Sequence, residues 1–213
     1  MDLNYTFGYM KKIDLKKDFA GLYTVPKGKI VMVDVPELSY LMIDGKGDPN
    51  HSTEFQEAIE ALYSLSYTLK FNIKKGPLAI DYGVMPLEGL WWSDQMESFT
   101  TNDRSKWLWT LMIMQPDFIN TKMVKEAMSA LTLKKTLKAL PKLRFEKMKE
   151  GKVAQILHIG PYDQETENIL KLHAFIKDNG FQLYGKHREI YLSDMRRTAP
   201  EKLKTIIRQP MRK

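Results

Sequence analysis

The residues most able to do chemistry lie near the end of the chain, in HREIYLSD, from His187 to Asp194. The stretch has strand-forming residues in Ile190, Tyr191 and Leu192, yet an acid stands in its middle. Side chains alternate along a strand, so His187, Glu189 and Tyr191 share one face and Arg188, Ile190 and Leu192 the other. A carboxylate among aromatic groups is poorly solvated unless it is protonated, paired or met by a ligand. A second acid has similar company. PLEGLWW (86–92) and WLWTLMIM (107–114) hold all four tryptophans, and Glu88 alternates into register with Leu90 and Trp92. LEGLWW aligns with REIYLS, which sets Glu88 against Glu189 as equivalent acids expected to converge on one hollow. Glu189, Tyr191 and Glu88 are therefore the catalytic candidates. Trp92, Trp107, Trp109, Tyr82, Tyr40, His158 and His187 are the ligand-binding candidates.

Other chemistries are excluded by residue type. There is no cysteine among the 213 residues, so thiolate metal sites, disulfides and cysteine nucleophiles are absent. The four histidines stand far apart, without a zinc-ligand spacing such as HExxH. No GxSxG elbow occurs, and GKGDPN lacks the ending of a phosphate cradle. No metal or cofactor is expected.

The elements that must position these residues form a weak internal repeat. ELSYLMIDGKGDPN followed by HSTEFQEAIEALYSLSYTLKF matches KVAQILHIGPYD followed by QETENILKLHAFIKDNGFQLYG. Each copy reads as a strand, a Gly/Pro turn and an amphipathic helix. Phe55, Ile59, Leu62 and Tyr63 make the first helical stripe, with Thr53 and Gln56 as a capping box. Ile169, Leu172, His173 and Ile176 make the second, capped by Asp163 or Thr166 and closed by Gly180. A third helix is expected over about 120–140, with Met123, Val124, Ala127 and Leu131 inward. SDQMESFTTNDRSK reads as a polar loop. The expected fold is α+β: two strand–helix–strand–strand repeats (about 28–118 and 143–195) related by a pseudo-two-fold. Their antiparallel sheet carries helices on one face and a ligand cleft on the other.

The net charge of +7 is concentrated at the end, where residues 195–213 hold seven basic side chains against one acid. Such a segment is read as a solvated basic tail, pinned by Ile206 and Ile207, and nucleic acid is not an expected partner. The N-terminus lacks the apolar run of a signal peptide, and no stretch is long and apolar enough to span a membrane, so a cytoplasmic location is expected.

At QILHIGPYD and REIYLSDMRRTAPEKLKTIIRQP the sequence resembles the GyrI-like small-molecule-binding family. LSYTLKF, DYGVMPLEGLWW and WLWTLMIMQPDF resemble its standalone branch. The resemblance implies duplicated modules with a groove between them. It also implies an acid, matched here by Glu189, in an aromatic cup that meets cationic drugs in multidrug-responsive regulators. Standalone members hydrolyse cyclopropane-bearing DNA alkylators, and the absence of a DNA-binding domain here favours that branch. Three functions follow as expectations. The first is hydrolysis of reactive planar aromatic molecules by water addition, with Glu189 or Glu88 as base and Tyr191 or a protonated carboxyl as acid. The others are sequestration of planar or cationic drugs, and gyrase-inhibitor-like protein binding.

Overall fold

The computed structural model describes residues 10–93 and 106–213. The polar loop expected between Ser93 and Lys106 therefore lies almost wholly outside the described residues. Two long strands form the frame, β2 (Ile30–Lys46) and β6 (Arg144–Ile159), paired antiparallel from Ile30↔Ile156 to Met42↔Arg144. β5 (Leu108–Gln115) adds to β2, β4 (Leu87–Trp92) to β5, and β8 (His187–Tyr191) to β4. β9 (Lys204–Arg212) adds to β8 and then returns to β6, so the antiparallel ring closes. Closure satisfies backbone groups that an open edge would leave unpaired. Short strands complete the set: β1 (Lys11–Ile13) lies parallel to β3 (Ile80–Tyr82), and β7 (Gln182–Leu183) sits on the end of β9.

The second half of the expected basic tail is thus the strand β9. Its apolar alternates explain the correction: Ile206 and Ile207 are both fully buried, one on each face of the strand. A basic count over the segment hid a strand whose backbone bonds two neighbours.

Of three longer helices, two pack on the sheet and the middle one along the chain packs on the first of them. The helix α3 (Thr53–Lys75) buries Phe55, Ala58, Leu62, Leu65 and Leu69, and Ser52 Oγ caps it by accepting from Phe55 N at 3.1 Å. The cap sits one residue before the expected Thr53. Asn120 caps α4 (Thr121–Thr132) through Met123 N at 3.0 Å, and Val124, Ala127 and Leu131 are buried as the stripe predicts. The helix α5 (Thr166–Asp178) buries Leu172 and Ile176, and Gly180 follows it at φ 76°. Neither Asp163 nor Thr166 caps α5. Glu165 occupies the cap position and makes no capping bond. Two single-turn helices, α1 (Leu15–Asp18) and α2 (Ala20–Tyr23), precede β2. The order strand–helix–strand–strand occurs twice, as β2–α3–β4–β5 and β6–α5–β8–β9, each interrupted by a short strand after its helix. Among the described residues no helix is long and apolar enough to cross a membrane.

Candidate functional site

Register decides which side chains meet. Gly89 lies opposite Glu189, Trp91 opposite His187 and Leu87 opposite Tyr191, so these six share one face of β4 and β8. Glu88 lies opposite Ile190 and Leu90 opposite Arg188 on the other face. Neighbouring residues Arg188 and Glu189 therefore enter different surroundings.

On the first face the side chains form an acid cluster. Tyr191 Oη donates to Glu189 Oε2 at 2.8 Å and accepts from Trp91 Nε1 at 3.1 Å. His187 Nε2 stands 3.4 Å from Glu189 Oε1. Burial, reinforced by the Glu189 charge, drives the Tyr191 phenol well above its usual range, so it keeps the proton it donates. Gly89 makes room: a Cβ there would lie 2.7 Å from Trp91 Nε1 and 3.0 Å from Tyr191 Oη.

The cluster's second acid is Glu165. The Pro161–Glu165 turn, which contains the short 3-10 segment Tyr162–Gln164, delivers it. Since its carboxyl caps nothing, it turns inward and is only 3% exposed. Burial, with the neighbouring Glu189 carboxylate as the next cause, pushes its pKa up to about 10. Glu165 is thus a neutral acid at physiological pH. Tyr162 packs edge-on against Tyr191 at 5.6 Å, and burial raises its phenol to about 12. Tyr63 of α3 stands across from it, close to the Leu87 backbone. The face is therefore flanked by α3 on one side and by the Tyr162–Glu165 turn on the other.

The opposite face holds a different arrangement. Glu88 and Arg188 are both fully buried, and Arg188 donates to Glu88 through Nε at 2.8 Å and again through Nη2. Arg188 also donates to Glu150 at 2.6 Å and to Tyr40 Oη at 2.8 Å. Arg208 donates to Glu150 at 3.2 Å, to Gln155 Oε1 at 3.0 Å and to the Leu22 carbonyl at 2.6 Å. Tyr23 Oη donates to Glu88 Oε1 at 2.8 Å, and Gln155 Nε2 to the Gly21 carbonyl at 2.9 Å. Burial opposes the Arg188 charge, but Glu150 and Glu88 outweigh it and hold its pKa above the ordinary value. Glu150 and Gln155 both reach Arg208 although an odd interval separates them. Gly151, at φ 74° between them, breaks the alternation that a regular pleat would impose.

The sequence candidates divide accordingly. Glu189, Tyr191 and His187 come together. The expected convergence of Glu88 with Glu189 is corrected: Glu88 sits on the other face, neutralised by Arg188. Tyr40 belongs to that same buried network, and Trp92 lies on that face with Lys186 Nζ 3.1 Å above its ring. Trp109 shares the Glu189 side of the sheet but lies under α3, edge-on to Phe55 at 5.2 Å, as core. Trp107 packs edge-on to Trp91 at 5.8 Å. Tyr82, on β3, packs on Phe118 away from the cluster. His158 closes its own turn, within 3.0 Å of the Pro161 carbonyl and of Asn168 Nδ2. Sequence reasoning missed Trp91, Gly89, Tyr162 and Glu165. Strict alternation from Glu189 would have flagged none of them, because they lie on other elements. The available signal was the acid-rich YDQETE turn, read only as a helix cap. Among the described residues no group of three His, Asp or Glu side chains is placed to hold a metal ion.

The sequence profile of the GyrI-like small molecule binding domain matches residues 28–212. The chain belongs to that family. Among solved structures, this GyrI-like protein is similar to an uncharacterized conserved protein from Listeria innocua, with 38% identity and a TM-score of 0.87 over 94% of this chain and 100% of that one. It is also similar to a hydrolase from Listeria innocua, with 36% identity and a TM-score of 0.83 over 94% of this chain and 100% of the other. The EcmrR C-terminal domain shares the fold at 14% identity, with a TM-score of 0.53 over 87% of this chain and 98% of that domain. Among curated proteins none matches. Gly21, Leu22 and Tyr23, which the buried network grips, lie before the matched span of this GyrI-like domain.

Proposed function

We propose that the Glu165–Glu189–Tyr191 cluster hydrolyses reactive planar aromatic molecules, such as cyclopropane-bearing alkylators, by adding water. The reading rests on one observation above the rest: two carboxyls on an aromatic floor, one of them held neutral by its surroundings. That split supplies an acid and a base at the same pH. A flat substrate lies among Trp91, Tyr162 and Tyr191, gaining burial and edge or offset ring contacts. Glu189 removes a proton from water as the water oxygen bonds to a cyclopropane carbon. The ring C–C bond breaks, and its electron pair moves through the conjugated system to the carbonyl oxygen. That oxygen takes the proton of Glu165, and the proton gained by Glu189 then passes to the adjacent Glu165, which restores both groups for the next cycle. Tyr191 orients Glu189 throughout. Relatives described as hydrolases, at about a third identity over nearly the whole chain, support the reaction class.

Mass spectrometry of a cyclopropane-bearing alkylator with substoichiometric protein tests this directly. Water adduct in many-fold excess over protein is expected. Loss of the compound that stops at one equivalent means capture without turnover, and the hydrolysis reading fails.

A further inference from the structure

We infer that His158 is a positioning residue for the acid Glu165, anchoring to the sheet the turn that carries this carboxyl beside Tyr191. The inference rests on the hydrolytic reading for the use made of Glu165, but the anchor itself is independent geometry. His158 is 4% exposed on β6, and register sets it in a row with Thr205 of β9 and Tyr191 of β8. Directly paired residues share a face, so the row spans about 10 Å across three strands. The Pro161–Glu165 turn bridges the ends of that row. Pro161 is bonded to His158 at one end, and the Tyr162 ring meets Tyr191 at the other, 5.6 Å between centroids.

The imidazole grips the chain on both sides of Glu165. A carbonyl only accepts, so Nε2 carries the proton and donates to the Pro161 carbonyl at 3.0 Å. Nδ1 is then the bare nitrogen, and it accepts from Asn168 Nδ2, in the first turn of α5, at 3.0 Å. Gly160 leaves the space: its φ is 140°, and a Cβ there would stand 3.3 Å from Nε2. The turn does not need the imidazole to close. Gln164 N–H already donates to the Pro161 carbonyl at 3.1 Å, and Glu165 N–H to the Tyr162 carbonyl at 3.3 Å. What His158 adds is a tie to β6, and α5, which begins without a capping side chain, shares it. Glu165 keeps its proton mainly because it is shielded from water, with Glu189 as the next cause. Glu189 and Tyr191 of β8 and Tyr162 of the turn are the titratable groups around it. Loosening the turn admits water and moves Glu165 from Glu189, and both changes lower its pKa.

The test compares His158→Leu, which removes both bonds, with His158→Gln, whose amide N–H can still donate to Pro161. With a cyclopropane-bearing alkylator, His158→Leu should lower kcat about 30-fold with KM within about 3-fold, and His158→Gln should recover most of the loss. Infrared spectroscopy gives a readout free of catalysis, the C=O stretch of protonated Glu165, assigned by its absence in Glu165→Gln. That band should vanish at least about one pH unit lower in His158→Leu than in the parent, and return toward the parent's pH in His158→Gln. Asn168→Ala deletes one bond at a half-buried position. It should shift the band the same way by less, and it decides the matter if His158→Leu fails to fold. A band unmoved in Asn168→Ala and in folded His158→Leu overturns the anchor. So does equal kcat in His158→Leu and His158→Gln when the parent turns over. A parent without turnover whose band still shifts as stated would sink hydrolysis and leave the anchor standing.

Discussion

Arg188 and Glu189 are consecutive residues, the first fully buried and the second with 16% of its side chain exposed, and their surroundings differ in kind. Around Arg188 every charge has an opposite. Two arginines and two glutamates share bonds, two phenols and two backbone carbonyls take what remains, and the group ties β4, β6, β8 and β9 to α2. Around Glu189 there are a second acid, phenols and an indole, with His187 as the nearest basic group. In this charge-balanced set each arginine and each glutamate already has an opposite charge in contact, which leaves little for a charged ligand to pair with. Two carboxyls crowded together so that one is held protonated cost stability by themselves and make sense where a reaction or a ligand uses them. The lesson is that burial alone does not separate scaffold from site. Charge compensation does.

The sharpest way to break that contrast is to remove one partner on the compensated face. Arg188→Met leaves Glu88 and Glu150 buried without their cation, and should cost about 3–5 kcal/mol in denaturant unfolding. A loss below about 1 kcal/mol would mean that water or relaxation already compensates those acids, and the scaffold assignment would fall. On the other face Glu189→Gln should behave in the opposite way. Stability should hold or rise, because a largely buried carboxylate beside a second carboxyl is replaced by a neutral amide, while turnover falls at least about 100-fold with the loss of the base. Unchanged turnover in steady-state assays would remove Glu189 from the mechanism.

Glu165 sharpens the comparison through pH. Its folded pKa, about 10, lies above an ordinary glutamate's value near 4.5. The folded state therefore binds a proton that the unfolded state has already released through the interval between those values. This contribution is fully present below the unfolded pKa and is lost progressively as pH rises toward 10, at about 1.4 kcal/mol per pH unit. Glu165→Gln, which keeps the neutral shape, has no such dependence. Its stability relative to the parent should rise steadily from pH 5 to pH 9 in matched unfolding series, while catalysis loses its proton donor. A pH-independent difference would show that Glu165 is ionised in the fold.

How much of this could be read in the sequence follows from the range of the forces involved. Periodicity is local, and it located α3, α4 and α5 and placed Glu189, Tyr191 and His187 on one face. Pairing register is not local. Whether Glu88 meets Glu189 depends on Gly89, not Glu88, lying opposite it, and one residue of slip exchanges the two faces of a strand. The same limit hid Arg188, which the alternation correctly sent away from Glu189 without revealing that Glu88 waited there. The closing strand β9 was masked by its charges, because Lys204 and Arg212 mark its exposed ends while Arg208 enters the interior. Glu165 was hidden by an ordinary rule: an acid at a helix start is usually a cap.

The smallest expected effect comes from the contact that orients the site without joining its chemistry. Trp91→Phe keeps an aromatic ring against Phe55 but deletes the N–H that Tyr191 Oη accepts at 3.1 Å. Tyr191 then retains only its bond to Glu189 at 2.8 Å and gains freedom to rotate away from it. The lost neutral hydrogen bond and the smaller ring together should cost about 1–2 kcal/mol of stability. Turnover should fall only several-fold, because Glu165 and Glu189 both remain. A kcat decrease as deep as that of Glu189→Gln would show that the indole N–H takes part in the chemical step itself. No change in kcat, with stability lowered as expected, would show that Glu189 is held by the strand alone and that the indole belongs with the compensated scaffold.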